Sequence, residues 1–300
     1  RRPHGSRTPA RILMPHLPPF AGLERDRPSI MGIVNVTPDS FSDGGEALDA
    51  SAAIARGRAL AGAGADILDI GGESTRPGAG PVGADEEMAR VLPVIRALAE
   101  EGFKVSIDTR KAEVMKAALK AGAAIVNDVT ALSGDVASLD AVAASTASVI
   151  LMHMAGEPRT MQEDPVYDDV VGDVMAYLLG RIAACEKAGI GRQRIAVDPG
   201  IGFGKTVAHN LEILGRLGEF QELGCPVVLG VSRKSFIGHL SPGAGPQERL
   251  AGSLAAALAG VVRGVHILRV HDVAESRQVL DAWRAIEGAG APLKENETKC

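Results

Sequence analysis

Apolar runs in this chain stop, one after another, at residues able to hold charge or share hydrogen bonds. In order, the stops are Asn35, the stretch from Glu73 to Arg76, Asp108, Asn127 with Asp128, His153, Asp198, Ser232 with Lys234, and Arg269 with His271. Ionised carboxylates only accept hydrogen bonds, an amide donates and accepts, and lysine and arginine only donate. Such a set suits a planar, nitrogen-rich polar ligand joined to an anion. Each stop taken alone has a structural explanation as a satisfied polar group at a strand end, and for His153 that reading leads. A ring of amides, carboxylates and cations at nearly every stop is hard to explain as packing.

The elements that must position these residues follow from the runs themselves. They are Ile30–Val34, Ile67–Ile70, Lys104–Ile107, Ala124–Val126, Val149–Met152, Ile195–Val197, Val227–Val231 and Val265–Val270. Short runs without clean alternation suit strands buried on both faces. The segments between them carry helical periodicity. Met88, Val91, Leu92, Ile95 and Leu98 share a face after Asp85, a candidate cap, and Val279, Leu280, Trp283 and Ile286 do the same near the end. Alternating strand and helix units demand parallel strands with right-handed crossovers. Eight such units predict a (β/α)8 TIM barrel, in which every strand end converges on one face. An open doubly wound sheet is the alternative.

Residues 31–45 form the most informative stretch. The run ends at Asn35, placed on the buried side, and opens into a loop of turn formers around a lone aromatic, Phe41. A surface turn has little use for that phenylalanine, whereas a barrel enzyme builds its site from such loops.

Three motifs fail on inspection. Gly78–Gly83 fits G-x-G-x-x-G but follows no strand directly, and the next helix opens with Asp85, Glu86 and Glu87, which repel a pyrophosphate. Gly204-Lys205-Thr206 resembles the end of a P-loop, yet Pro199 stands where the first glycine belongs. Gly230–Lys234 ends in lysine where a nucleophile elbow needs glycine.

Composition sets the limits. With 300 residues, 46% of them hydrophobic, 36 glycines and only 3% aromatic residues, the core must be aliphatic. The net charge of −5 argues against nucleic-acid or anionic-membrane binding and confines any anion site to a local basic cluster. Cys185, Cys225 and Cys300 form no C-x-x-C pair, which suits free thiols in the cytoplasm. No stretch is long and uncharged enough to span a bilayer. Residues 1–28, with Arg1, Arg2, Arg7 and Arg11 and no acid before Glu24, lack the apolar region of a secretory signal and read as an irregular arm. The barrel is expected over 29–287, with a polar tail over 288–300.

The motifs resemble the dihydropteroate synthase family, a group of pterin-binding barrels. The segments that carry the resemblance are Gly32–Gly45, Asp69-Ile-Gly-Gly-Glu-Ser-Thr-Arg-Pro77, Ser106-Ile-Asp-Thr109 and Ile125-Val-Asn-Asp128. They continue with Met152–Met154 through Thr160–Gln162, Val197–Lys205, Gly230–Ser235 and Arg269–Asp272. The resemblance covers about residues 29–287 and implies condensation of 6-hydroxymethyl-7,8-dihydropterin diphosphate with 4-aminobenzoate. By resemblance, Asp108, Asn127, Asp198 and Lys234 form a pterin pocket deep in the barrel, and Lys234 between two carboxylates stays charged. Arg269 and His271 serve the diphosphate, and Asn35 binds the accompanying Mg²⁺, with Asp43 a weaker candidate.

Phe41, Pro77 and Phe203 offer surfaces to the aryl ring, and Thr75 and Ser232 offer hydroxyls, the latter towards its carboxylate. Arg76 is expected to be drawn to the diphosphate. Catalysis then falls to Lys234, Arg269, His271 and Mg²⁺, since no residue resembles a covalent nucleophile. Flat sulfonamide anilines are expected to compete with 4-aminobenzoate. The family also implies a homodimer through outer helices. Two other readings share parts of this set: a barrel passing a methyl group from a reduced pterin to a corrinoid partner, and a pterin-binding module without turnover. The first would use Asp108, Asn127 and Asp198 without the Phe41 loop, and intact Asn35, Lys234, Arg269 and His271 argue against the second.

Overall fold

Eight short parallel strands form the centre of the computed structural model: Ser29–Asn35 (β1), Ile67–Gly71 (β2), Val105–Asp108 (β3), Ile125–Asp128 (β4), Ser148–Met152 (β5), Ile195–Asp198 (β6), Val228–Leu229 (β7) and Ile267–Val270 (β8). The structure describes residues 19–23, 27–37, 46–73, 80–156, 161, 165–241 and 243–289. Hydrogen-bonded neighbours run β6-β5-β4-β3-β2-β1-β8-β7. The two ends of that order meet through a parallel bridge between Val197 and Val227, where Val197 N–H donates to the Pro226 carbonyl at 2.8 Å. The sheet is therefore a barrel, as the sequence predicts.

Nine helices lie among the described residues: Glu46–Gly62 (α1), Ala84–Glu100 (α2), Ala112–Lys120 (α3), Ser138–Ala143 (α4), Val170–Lys187 (α5), Val207–Gly215 (α6), Ser235–Leu240 (α7), Leu250–Val262 (α8) and Val273–Ala289 (α9). The short α7 is an addition to the one-strand, one-helix pattern. None of the helices is long and apolar enough to cross a membrane.

The apolar runs lack alternation because each strand face meets its own core. Outward residues such as Ile30, Val34, Leu68, Ile107, Val126 and Leu151 pack against the helices. Inward residues Met31, Ile67, Ile125, Ile150, Ala196, Val228 and Ile267 fill the lower barrel. Gly32 shows how close the outer layer sits, since a Cβ there would lie 3.1 Å from a Val273 methyl and 3.3 Å from Leu60. Above the apolar plug, the inward positions turn polar.

The floor of the barrel is closed by a residue that precedes the first strand. Phe20, only 2% exposed, joins the inner cluster and forms a bridge with Leu23. An ion-pair staple holds this end: Arg27 and Arg277 both donate to Asp66, which also accepts from Ile30 N–H at 2.7 Å. Phe20→Ala is expected to cost about 3–5 kcal/mol, since the cavity cannot refill from the barrel wall. Urea denaturation measures this, and a loss under about 1 kcal/mol would mean the plug is dispensable.

Several local expectations shift. Gly83, not Asp85, is the N-cap of α2, and Asp85 sits in the first turn, where it favours the helix dipole. Ile286 is 69% exposed, one position off the buried stripe of Val273, Ser276 and Leu280. The strand expected over Val227–Val231 is reduced to Val228–Leu229, because the chain turns early to present Ser232 and Lys234.

Candidate active site

Strand register brings the polar stops to one rim. Asn35 pairs with Gly71, Gly71 with Asp108, Asp108 with Asn127, and Met152 with Asp198. Each lies at the C-terminal end of its strand, where a barrel builds its chemistry. Asn127, Asp198 and Ser232 are buried, as is Asp69 one layer below. Asn35, expected on the buried side, is instead exposed at the end of β1, since the strand carries it past the packed layers to the mouth.

Arg269 organises the centre. Its Nε donates to Asp69 Oδ2 at 2.6 Å and its Nη2 to Asp108 Oδ2, also at 2.6 Å. Asn127 Nδ2 donates to the same Asp69 oxygen at 3.1 Å. Asp69, fully buried, thus ties the guanidinium to the carboxamide across the barrel. Asp69 lies in the middle of the apolar run Ile67–Ile70 and is no strand-end stop, so an acid inside a run is the signal for its role.

Burial pushes the Asp108 carboxyl up to about 7; the Arg269 charge acts downward and the Asp69 charge adds to the rise. Burial also raises Asp198, against a 2.7 Å hydrogen bond donated by Gly200 N–H and the charge of Lys234. Lys234 is drawn down to about 8, first by burial and then by Arg269, with Asp198 and Asp108 opposing. Its Nζ lies 4.2 Å from the centre of the Phe203 ring, a cation–π contact that joins the β6 loop to the β7 loop.

Ser232 and His271 meet at the far side of the rim. Ser232 Oγ accepts from His271 N–H at 3.2 Å and lies 3.0 Å from His271 Nδ1. Arg233, at φ +61°, pairs with Asp272 and pins the two strand-end loops together.

Other polar stops serve the scaffold. Asp128 accepts from the backbone N–H of Thr130 and Leu132 at 2.7 and 2.9 Å, shaping the turn after β4. Glu73 is held by Lys111 and by Arg110 Nη2 at 2.8 Å, which keep its carboxyl low although burial acts upward. His153 meets a buried lysine, Lys205, in accordance with its structural reading. Phe41, Asp43, Thr75, Arg76 and Pro77 lie outside the described residues. No group of three His, Cys, Asp or Glu side chains that could cage a metal occurs among the described residues.

A barrel whose strand ends gather acceptors, a carboxamide and two cations on one rim has the layout of a barrel enzyme's active site. Residues 31–271 match the family of pterin binding enzymes. The chain is 48% identical over 277 residues to the dihydropteroate synthase of Escherichia coli K12, covering 92% of this chain and 96% of that one. The structure of Xanthomonas albilineans dihydropteroate synthase with 4-aminobenzoic acid aligns at a TM-score of 0.84 and 51% identity, covering 89% of this chain and 96% of that one. The same enzyme in complex with 7,8-dihydropteroate aligns at 0.81 and 48% identity, covering 88% and 95%. The chain belongs to the pterin-binding enzyme family and, within it, to the dihydropteroate synthases.

Proposed function

We propose that this chain condenses 6-hydroxymethyl-7,8-dihydropterin diphosphate with 4-aminobenzoate, giving 7,8-dihydropteroate and pyrophosphate. The observation that carries the reading is the cluster of Asp108, Asn127 and Arg269 around buried Asp69, with Asp198 and Lys234 on the same rim. Ionised Asp108 and Asp198 accept from the 2-amino and ring N–H donors of a pterin, Asn127 donates and accepts, and Lys234 donates to the oxo side. Arg269 and His271 take the diphosphate, since charge-assisted bonds to phosphate are among the stronger hydrogen bonds. Phe203, beneath Lys234, offers its ring to the arylamine in this reading. Thr75, Arg76, Phe41, Pro77 and Ser232 complete the amine and phosphate contacts in this reading.

Asn35 fits Mg²⁺ in one specific way. It is an exposed amide, no cage of acids stands beside it among the described residues, and Mg²⁺ typically keeps several waters and takes substrate phosphates with few protein ligands. Bound there with the diphosphate, the ion would supply charge neutralisation to the departing oxygens. The protein's own contribution is placement. Arg269 and His271 stabilise charge building on the leaving group, and the pterin contacts orient the methylene towards the amine. The C–O bond breaks with its electron pair leaving on pyrophosphate, the pterin ring nitrogens share the positive charge left at the methylene, the amine lone pair forms the C–N bond there, and the new ammonium loses a proton.

The uncharged helix α8 buries only Ser253, Ala257, Gly260 and Val261, leaving apolar surface that supports a homodimer through the outer helices. The buried thiols of Cys185 and Cys225, outside any disulfide among the described residues, favour the cytoplasm. The test is product formation: with both substrates and Mg²⁺, 7,8-dihydropteroate and pyrophosphate should appear in equal amounts. Pterin binding without pyrophosphate release would overturn the assignment.

A further inference from the structure

The loop between β6 and α6 is curled by three glycines in the left-handed region, Gly200 at φ +71°, Gly202 at +81° and Gly204 at +62°. At Gly200 no other residue fits, since a Cβ would lie 1.9 Å from the His153 carbonyl oxygen. The curl turns two carbonyls inward onto one ammonium. Lys205 Nζ donates to Gly200 O and to Phe203 O, each at 3.0 Å, and lies 2.9 Å from His153 Nδ1.

Lys205 is only 3% exposed, and no carboxylate accepts from it among the described residues. A buried cation without a counter-ion is costly, so a fold that keeps one has a use for it. Burial draws Lys205 down to about 7 while the Asp198 charge acts upward. His153, lowered to about 3 by burial and by Lys205, is neutral and can offer Nδ1 as an acceptor. Its ring is wedged edge-on against Tyr177 at 5.0 Å, so the acceptor is fixed in place.

The loop curled around Lys205 holds two of the proposed substrate contacts. Gly200 donates its N–H to Asp198 Oδ1, and Phe203 lies under Lys234. From outside, the loop is braced by Gly202 N–H donating to Asn210 Oδ1 at 2.7 Å and by Tyr167 O–H donating to Gly204 O at 2.7 Å. From inside, it is braced by the Lys205 ammonium.

We propose that Lys205 is a positioning residue for heterocycle recognition, its ammonium acting as an internal cation that sets the loop carrying Asp198 and Phe203. The proposal rests on the pterin reading above. Lys205→Met keeps the side-chain length and removes the charge and the donors. Calorimetry with 6-hydroxymethyl-7,8-dihydropterin, which lacks phosphate, should show affinity about tenfold weaker, whereas pyrophosphate with Mg²⁺ should bind within about twofold of wild type. In Lys205→Ala, methylammonium should restore part of the pterin affinity, and sodium chloride at equal ionic strength should not.

Unchanged pterin affinity in folded Lys205→Met, or equal loss for both ligands, overturns the proposal. If neither lysine variant folds, His153→Leu removes one acceptor and should weaken pterin alone by about threefold. Unchanged pterin affinity there, or equal loss of both ligands, again overturns it. Wild-type protein that binds no pterin would refute the functional reading instead.

Discussion

Arg269→Met is expected to lower turnover by at least roughly a thousandfold, the scale of removing a main charge-stabilising donor. The same change should destabilise the fold by about 3–5 kcal/mol, because it strands buried carboxylates. Asp69 and Asp108 each give an oxygen to this one guanidinium at 2.6 Å. Without it, the Asp108 carboxyl is pushed further above its ordinary range by burial and by the Asp69 charge. The sign follows from linkage. A carboxyl whose folded pKa is raised stabilises the fold below its unfolded pKa, and that contribution disappears as pH rises through the folded pKa. The variant should therefore lose stability steeply from about pH 4 to above pH 7, and mildly acid buffer should partly restore it.

Adding Asp69→Asn to Arg269→Met should recover stability at neutral pH without recovering turnover. Urea denaturation across pH separates these outcomes, and a single mutant as stable as wild type at neutral pH would mean the carboxylates find other partners. Binding should change on both sides of the site. Pyrophosphate affinity should fall most, but the pterin alcohol should also bind roughly tenfold less well, because the guanidinium orients Asp108. An effect confined to pyrophosphate would separate Arg269 from the heterocycle.

That double effect marks what the sequence could and could not convey. The positions of Asp108, Asn127, Asp198, Lys234 and Arg269 were legible because a period of strand and helix places each run's end on one face. Their mutual contacts were not. Asp69 lies inside an apolar run, and only barrel closure brings β2 and β8 to either side of β1, so that one carboxylate can hold Arg269. Lys205 was visible as a rejected phosphate-loop ending and as the last residue of the Val197–Lys205 segment, with no role attached. Its role depends on backbone angles at Gly200, Gly202 and Gly204, for which spacing gives no more than a hint. Phe20 fell in a segment set apart for its composition, although one aromatic is enough to seal a barrel floor. Ile286 followed the average period but not the stripe that α9 buries.

The remaining prediction concerns pH. In the proposed pocket, Asp108 must be ionised to accept from the pterin, and Lys234 must be protonated to donate. Burial places the first at about 7 and the second at about 8. Affinity for the pterin alcohol should rise as pH passes 7 and fall beyond 8, giving a narrow bell with no phosphate titration to obscure it. The two groups share Arg269 and repel or attract one another, so the limbs belong to the network and not to single residues. Lys234→Arg should remove the alkaline limb, since a guanidinium keeps its proton there, and leave the acid limb in place. Proton linkage gives a second, independent reading. Near about pH 6, binding should expel up to about one proton from Asp108, and near about pH 9 it should take up about one at Lys234. Calorimetry in buffers of different ionisation enthalpy measures both. A proton count that keeps one sign across the range would show that these two groups do not face the heterocycle.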